Sequence, residues 1–410
     1  MTATNNAAPA DAPVPTGVAV TALDPAFQRD PDPVLDDLRQ RDPVHHDEQL
    51  ARWLLTRHDD VDALLRDRTL SADPRNGAPG TFMSLFSAPD GQEPSILFLD
   101  APEHDRLRGL VSKAFTPRAV EQMRPRIQQI VDDLLDAVAD TQSFDLIGAF
   151  AGPLPTIVIA EMLGVDPADR VDFKRWSDDG VMAFDPLLTP EMRERVMASN
   201  AELEAYFRRA IAERRAEPKA DLISSLIAVE EDGVRLTDEE MVTMCALLLA
   251  AGNVTTTDLI GNGTLALLQN PDQFQKLREA PELIRNAVEE MLRYDSPVVE
   301  TGRIPLEAVE IRGCPIGARE SIVPVMGAAN HDPEVYPDPH RFDVTRADTH
   351  HQSFGGGIHF CLGAPLARLE AQLAINALVQ RFPRLHLGDE PLEYRRIPGF
   401  RGLVRLNVLA

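Results

Sequence analysis

The stretch Ser-Phe-Gly-Gly-Gly-Ile-His-Phe-Cys-Leu-Gly at residues 353–363 is the most informative part of this sequence, and it leads directly into the helix-like segment 364–382. Three consecutive glycines permit a tight loop whose backbone can approach a bulky group closely. Cys361 lies where this loop becomes a helix. The unpaired N–H groups and partial positive charge of a helix N-terminus stabilise a thiolate and can tune a metal bound to it. The stretch is therefore compatible with a ligating cysteine.

Two other roles for Cys361 stay open on these grounds. An isolated cysteine beside a glycine turn is more commonly a small buried apolar residue. It could also be a nucleophile, with His359 as the activating base at local spacing. The three cysteines of the chain, Cys245, Cys314 and Cys361, have no paired spacing, which argues against a disulfide framework and against a Cys-x-x-Cys zinc site.

The same stretch resembles the haem-binding signature of cytochromes P450, Phe-Gly-x-Gly-x-His-x-Cys-x-Gly. Every defining position matches, namely Phe354, Gly355, Gly357, His359, Cys361 and Gly363. The resemblance covers nearly the whole chain and follows the soluble bacterial branch of the family. It implies haem b (iron protoporphyrin IX) with Cys361 as the iron ligand and Phe354 shielding the sulfur. It also implies a mainly α fold with a small β component, in which a long central helix lies over the haem.

Composition limits the partners and the compartment. The 410 residues include 41 Lys+Arg and 65 Asp+Glu, a formal net charge of -24, and a field this negative repels phosphate. We therefore expect neither nucleic acid nor a membrane as a partner, and no apolar stretch is expected to approach the roughly 18–20 residues that span a bilayer. Residues 1–20 are rich in Ala, Pro and Thr and are expected to be a disordered leader. Residues 21–410 should form a single cytoplasmic catalytic domain.

Hydrophobic periodicity predicts mostly amphipathic helices and few strands. The predicted helices include residues 32–41, 59–66, 116–138 and 193–215, and the predicted strands are residues 51–55, 308–311, 321–325 and 403–408. The longest helix begins at a capping box, with Thr237 as N-cap and Glu240 three residues later, and it ends near Gln269. Its apolar middle should be buried.

The middle of this helix contains Ala251, Gly252 and Thr255, which match the oxygen-binding motif of the family, Ala-Gly-x-acid-Thr. From the residues alone, close packing at Gly252 with threonines bonding back to carbonyls and a local distortion that makes room for a ligand both stay open. The resemblance implies that Ala251, Gly252 and Thr255 are catalytic and that the Thr255 hydroxyl steadies dioxygen. Val254 replaces the acid that relays protons in the family, and Asn253, Asp258, ordered water or a substrate hydroxyl are candidate substitutes.

Cationic side chains with a suitable spacing are candidates to hold the haem propionates. His104 and Arg108 are four residues apart and so share one helical face. Ordinary pairing with Asp or Glu is the alternative for an isolated motif of this kind. The resemblance adds Arg303 and His359, which gives four donors for two carboxylates.

Glu290 and Arg293 match the Glu-x-x-Arg element of the family, although such a pair on its own is usually a surface ion pair. The resemblance implies a third member in the loop before the thiolate. Either Arg346 or Arg341 could serve, and we favour Arg346. The expected role is structural, because the three charges would keep the side of the haem that carries the thiolate rigid.

The substrate and the electron donor follow from the resemblance. Family position suggests a mostly apolar substrate pocket, formed by Phe82, Phe86, Leu248, Val298, Val299 and Phe400. The chain carries no flavin or NAD(P) fingerprint, so electrons should come from a ferredoxin and its NAD(P)H-dependent reductase. Such a partner would need a basic patch, for which Arg106, Lys113 and Arg118 are candidates.

The expected activity is monooxygenation, in which one oxygen atom from O₂ hydroxylates or epoxidises a small apolar molecule such as a secondary metabolite, terpenoid or steroid-like compound. Two alternatives remain. One is a haem-thiolate enzyme of atypical chemistry, either peroxide-driven or catalysing coupling or rearrangement, which the missing acid at Val254 would favour. The other is a haem-binding protein without turnover.

We predict that Val254→Glu or Val254→Asp changes the ratio of product to peroxide, because either variant restores an acid beside Thr255. The measurement is the product and the peroxide formed per O₂ consumed. An unchanged ratio would mean that protons reach the site by another route.

Overall fold

The computed structural model describes residues 14–87, 94–182, 185, 188–230 and 233–410, and helices dominate within them. The helices are α1 (Pro25–Arg29), α2 (Asp32–Arg41), α3 (His58–Arg66), α4 (Glu103–Ala114), α5 (Pro117–Gln122), α6 (Arg124–Asp136), α7 (Pro153–Leu163), α8 (Arg170–Met182), α9 (Pro190–Ala216), α10 (Leu222–Ala228), α11 (Asp238–Gln269), α12 (Pro271–Glu279), α13 (Ile284–Tyr294), α14 (Met326–Ala329) and α15 (Ala364–Arg381). The predicted fold class, mainly α with a small β component, is confirmed.

The strands are short and form small separate sheets. They are β1 (Val44–Asp47), β2 (Arg52–Leu55), β3 (Leu70–Ser71), β4 (Ser143–Asp145), β5 (Ile304–Pro305), β6 (Val309–Ile311), β7 (Cys314–Ile316), β8 (Ile322–Pro324), β9 (His386–Leu387), β10 (Glu393–Tyr394), β11 (Leu403–Arg405) and β12 (Asn407–Leu409). One three-stranded sheet has the order β1-β2-β8, in which β1 and β2 are antiparallel and β8 is parallel to β2. The other has the order β4-β12-β9, and its strands are antiparallel. The pairs β3-β5, β6-β7 and β10-β11 are antiparallel. Each three-stranded sheet thus joins segments that are distant in the sequence.

Two predicted elements are each divided in the structure. The single helix predicted over residues 116–138 is α5 followed by α6, because Pro125 lacks an N–H group and its ring clashes with the preceding turn of a continuous helix. The strand predicted over residues 403–408 is β11 and β12, which pair with different partners. Between them the N–H of Leu406 donates to Asp145 Oδ1 over 3.0 Å.

The predicted leader is too long at its C-terminal end. Residues 1–13 lie outside the described residues, but residues 17–20 form a 3-10 turn that packs on the protein. Val20 is buried in an apolar cluster, and the N–H of Gly17 donates to Asp47 Oδ1 over 2.9 Å. The composition of this segment predicts disorder. The burial of Val20 and the charge-assisted hydrogen bond of Gly17 stabilise it by more than the entropic cost of ordering it.

Helix α11 is the centre of the core. The predicted capping box is present, since Thr237 Oγ1 accepts from the Glu240 N–H at 3.2 Å and Glu240 accepts from the Thr237 N–H at 2.8 Å. The 32-residue helix contacts α7, α8, α9, α13 and α15. By length and hydropathy it could cross a bilayer, contrary to the expectation that no stretch approaches this limit, but 61% of its most apolar window is buried inside the protein. A core helix of a globular fold has these properties.

A buried ion-pair network lies behind the cysteine loop. Arg293 donates to both Glu290 oxygens at 2.7 and 2.9 Å, and both side chains are fully buried. Arg346 also donates to Glu290, at 3.1 Å, and the backbone N–H of Asp343 donates at 3.0 Å. Arg341 instead faces solvent and lies 3.5 Å from Asp343. The carboxylate of Glu290 therefore joins α13 to the segment that precedes the cysteine loop.

Glu290→Gln should lower the free energy of unfolding by about 3–5 kcal/mol, because the buried charges of Arg293 and Arg346 lose their carboxylate. Urea unfolding followed by circular dichroism measures this loss. The matched control is Arg341→Ala, which removes the exposed arginine of the same segment and should change stability by no more than about 0.5 kcal/mol. Equal losses in the two variants would contradict the structural role of Glu290.

Candidate functional site

The cysteine loop is built by backbone contacts that depend on glycine. Gly355 and Gly357 have φ angles of +68° and +62°, which side chains disfavour. A Cβ atom on Gly357 would also lie 2.6 Å from the carbonyl oxygen of Leu65, so this glycine lets the loop pack against the end of α3. The N–H of Cys361 donates to the carbonyl of Phe354 over 2.9 Å. These contacts fix Cys361 at the start of α15.

The surroundings of Cys361 oppose and favour a thiolate at once. Burial raises the pKa of the thiol, while N–H groups of Gly363 and Ala364 and the charges of Arg108 and Arg368 lower it. Part of the surface of Cys361 is nevertheless accessible. Because the residue lies deep in the protein, this accessible surface faces an internal space. A sulfur with amide donors on the helix side and an open side opposite can ligate a metal. Arg368, which sequence analysis did not identify, also lies over the Phe354 ring, 4.5 Å from its centroid.

The four predicted propionate donors are brought together beside Cys361. The rings of His104 and His359 have centroids 4.4 Å apart. Arg108 donates to the carbonyl of Phe360 over 2.7 Å and is attracted by Cys361. Arg303 is buried and donates to the carbonyl of Gly302 over 2.7 Å. Residues from α4, from the segment before β5 and from the cysteine loop thus form one group, which is cationic through Arg108 and Arg303.

This cationic group fits an anionic ligand. Burial and the neighbouring Arg303, His104 and Arg108 lower the pKa of His359 to about 3. Burial lowers the pKa of Arg303 to about 10 and also lowers that of His104. His359 is therefore neutral at pH 7, and an anion placed among the four donors would favour its protonated form. Two carboxylates beside a metal that binds the thiolate would satisfy the whole group, so the residues fit haem b.

The motif of the central helix lies on a surface of α11 that is open although the helix is in the core. Ala251 is exposed and Thr255 is half-buried, whereas Asn253, Val254 and Thr256 are buried. The helix is continuous through Gly252, where an added Cβ would lie 3.7 Å from Ile159. The local distortion is therefore not observed, and the Thr255 hydroxyl donates back to the carbonyl of Ala251 over 2.8 Å. The space beside Ala251 comes from the packing of neighbouring elements.

The candidate substitutes for the missing acid are placed differently. Asn253 is held in the core, where its Oδ1 accepts from Thr156 at 3.0 Å and its Nδ2 donates to Ser177 at 2.9 Å. Asp258 is buried and forms an ion pair with Arg395, a residue that sequence analysis did not identify. The two residues are far apart in the sequence, and no local pattern predicts their contact.

The predicted substrate-pocket residues are only partly brought together. Val299 and Phe400 line a cavity of about 470 Å³, together with Leu54, Val325 and Arg395. Val298 pairs with Phe400 through a β-bridge. Phe82 is packed in an apolar cluster, Phe86 lies edge-on against Phe82, and Leu248 packs against the main core. Neither Cys361 nor Thr255 lines the cavity, so the assignment of these residues to a substrate pocket stays a prediction.

A second polar cluster lies at the edge of the same cavity. Hydrogen bonds to Asp32 and Asp36, at 3.0 and 2.7 Å, raise the pKa of His340 to about 10. Burial lowers the pKa of His331 to about 4, so this neighbouring ring is neutral. The imidazolium of His340 already balances the carboxylates that it bridges. We interpret the cluster as an ion-pair network that ties α2 to the segment after α14.

Comparisons with known proteins agree with this geometry. The family model of cytochrome P450 matches residues 179–400. Cytochrome P450 107B1 of Saccharopolyspora erythraea is 45% identical over 88% of this chain and 89% of its own length. The 6-deoxyerythronolide B hydroxylase of the same organism is 42% identical over 91% of this chain and 94% of its own length.

A solved structure shows the same relationship in three dimensions. CYP109E1 from Bacillus megaterium, in complex with testosterone, has a TM-score of 0.83 and 36% identity, and the alignment covers 93% of this chain and 99% of that one. Similarity of this extent, together with a cysteine loop and cationic donors that fit haem b, leads to one conclusion. The chain belongs to the cytochrome P450 family and is an oxygen-incorporating oxidoreductase that binds haem b.

Proposed function

We propose that Cys361 is the iron ligand of a monooxygenase that hydroxylates or epoxidises a mostly apolar small molecule, with residues 21–410 acting as one catalytic domain. The observation that carries the proposal is the convergence of Arg108 on the Cys361 thiol and of Arg108, Arg303 and His104 on His359. Helix α15, which begins beside Cys361, packs against α11, the helix that carries Thr255.

Each group has a separate task in this proposal. When bound, haem supplies the iron at which O₂ is activated, and electron donation from the thiolate favours O–O cleavage. His104, Arg108, Arg303 and His359 bind and orient the propionates. The Thr255 hydroxyl, which donates to the carbonyl of Ala251, can accept a hydrogen bond on the open side of α11. Val254 is buried and carries no proton.

The substrate class follows from the relatives. The cavity bounded by Val299 and Phe400 mixes apolar residues such as Leu54 and Val325 with charged residues, and neither Cys361 nor Thr255 lines it. One relative is named a hydroxylase of 6-deoxyerythronolide B, and one related structure holds testosterone. A secondary metabolite, terpenoid or steroid-like compound fits this pattern.

We propose a ferredoxin, reduced by an NAD(P)H-dependent reductase, as the electron donor in the cytoplasm. Lys113 and Arg118 are exposed where α4 ends and α5 begins, and α5 packs against α15. These positive charges lie near the thiolate helix on a chain of net charge -24. Arg106 is held in an ion pair with Glu240 at the start of α11 and contributes less to such a patch.

The decisive test is the optical spectrum of the reduced protein with carbon monoxide. We expect the strongly red-shifted Soret band of thiolate ligation, and we expect Cys361→Ala to abolish it. Cys314→Ala is the matched control, because Cys314 is partly exposed on β7 and should leave the spectrum unchanged. A folded, haem-loaded wild type without the shifted band would refute the proposal.

Thr255→Ala should lower the product formed per O₂ consumed several-fold and raise peroxide correspondingly, because the open side of α11 loses its hydroxyl. The buried neighbour Thr256 provides the control variant Thr256→Ala. Both variants are assayed for product, peroxide and O₂ uptake. If Thr256→Ala uncoupled the reaction as much as Thr255→Ala did, a general packing defect in α11 would explain the result.

A further inference from the structure

Monooxygenation requires protons at the open surface of α11. One O₂ and one C–H bond, with two electrons and two protons, give one C–OH group and one water. The electrons come from a reductant, but the protons must pass through groups of this chain or through water that it holds. Val254 cannot supply them, and Asn253 is neutral and already hydrogen-bonded to Thr156 and Ser177.

Asp258 is the acid of α11 that lies near Thr255. It follows Val254 by four residues and Thr255 by three, so these side chains adjoin on one helical face. It also follows Ala251 by two helical turns, and Ala251 marks the open surface. The other acids of α11 are Asp238, Glu239 and Glu240 in its first turn. The carboxyl group missing at residue 254 is thus present one turn later.

The carboxyl group of Asp258 is buried and only partly satisfied. Its Oδ1 lies against Arg395 as an ion pair, but neither Oδ1 nor Oδ2 has a hydrogen-bond partner among the described residues. A buried carboxylate oxygen without a protein donor requires water or a proton of its own.

Arg395 connects this buried group to the outside of the site. It follows β10, its N–H donates to the carbonyl of Gly402 over 2.9 Å, and its side chain is 23% exposed. It also lines the cavity that Val299 and Phe400 bound. Asp178 on α8 is the other anion that acts on Arg395. Arg395 therefore links the buried carboxyl group of Asp258 to the cavity, which Asp258 itself does not line.

We propose that Asp258, held by Arg395, carries protons to the Thr255 side of α11 in place of the acid missing at residue 254. The carboxylate of Asp258 accepts a proton from water on the cavity side beside Arg395 and then gives it to a water at the Thr255 hydroxyl. Two such transfers complete one turnover and leave Asp258 unchanged. Arg395 is a positioning residue. The inference rests on the proposed monooxygenase function.

The test is Asp258→Asn, which preserves the shape of the side chain but cannot transfer a proton. We expect product per O₂ consumed to fall several-fold and peroxide to rise. In the double variant Asp258→Asn with Val254→Glu we expect the ratio to recover, because an acid again lies beside Thr255. Asp179→Asn is the matched control, since Asp179 is also buried and ion-paired, with Arg195, and should leave the ratio unchanged.

A purely structural role for Asp258 predicts other results. Asp258→Asn would then lower the melting temperature of the apoprotein, and Val254→Glu would not restore the ratio. An unchanged ratio in Asp258→Asn, or no recovery in the double variant, would overturn the inference. Normal carbon monoxide spectra and product formation in the wild type keep such a failure distinct from failure of the proposed function.

Infrared difference spectra of the apoprotein give a readout that does not depend on turnover. The wild-type spectrum minus that of Asp258→Asn isolates the carboxyl bands of Asp258. We expect these bands to shift on transfer to D₂O, because water reaches Oδ2. Bands that do not respond to D₂O would mean that the ion pair is sealed, and the proton path would be excluded.

Discussion

The structure depends on placing the sulfur of Cys361, which would bind a metal as a thiolate, inside a protein. Burial raises the pKa of this thiol, and amide donors at the start of α15 together with Arg108 and Arg368 offset the rise in part. Those donors are useful only if the loop is rigid. Close backbone packing of Gly357 on α3 and the buried carboxylate of Glu290 behind the loop supply this rigidity. The cysteine loop therefore contributes both to the stability of the fold and to the environment of the sulfur.

Sequence reasoning succeeded where the determining interactions are local or have a family pattern. The capping box at Thr237 and the 3.6-residue periodicity predict α11 to its last residue, because both signals lie within the helix. The contact between Glu290 and Arg346 crosses 56 residues. The family resemblance predicts this contact, whereas hydrophobic periodicity gives no information about it.

The remaining features depend on tertiary contacts. The ion pair of Asp258 with Arg395 joins α11 to the C-terminal hairpin, and neither residue has a local signature of it. Phe82 illustrates a residue that the sequence leaves open, since an apolar residue in a loop can line a cavity or fill a core; it is buried in an apolar cluster, and its place in a substrate pocket stays a prediction. The break at Pro125 was visible in the sequence, but the periodicity on both sides of it suggested one helix.

The parallel pairing of β2 with β8 has a consequence for the order of assembly. Trp53 pairs with Ile322 and Leu55 with Pro324, so the first sheet of the chain is completed by residues near its last quarter. During synthesis the hairpin of β1 and β2 leaves the ribosome long before its third strand exists. Contacts of such sequence separation form slowly, because a long loop must close first. The hairpin of β1 and β2 therefore keeps one strand edge unpaired until most of the polypeptide has emerged.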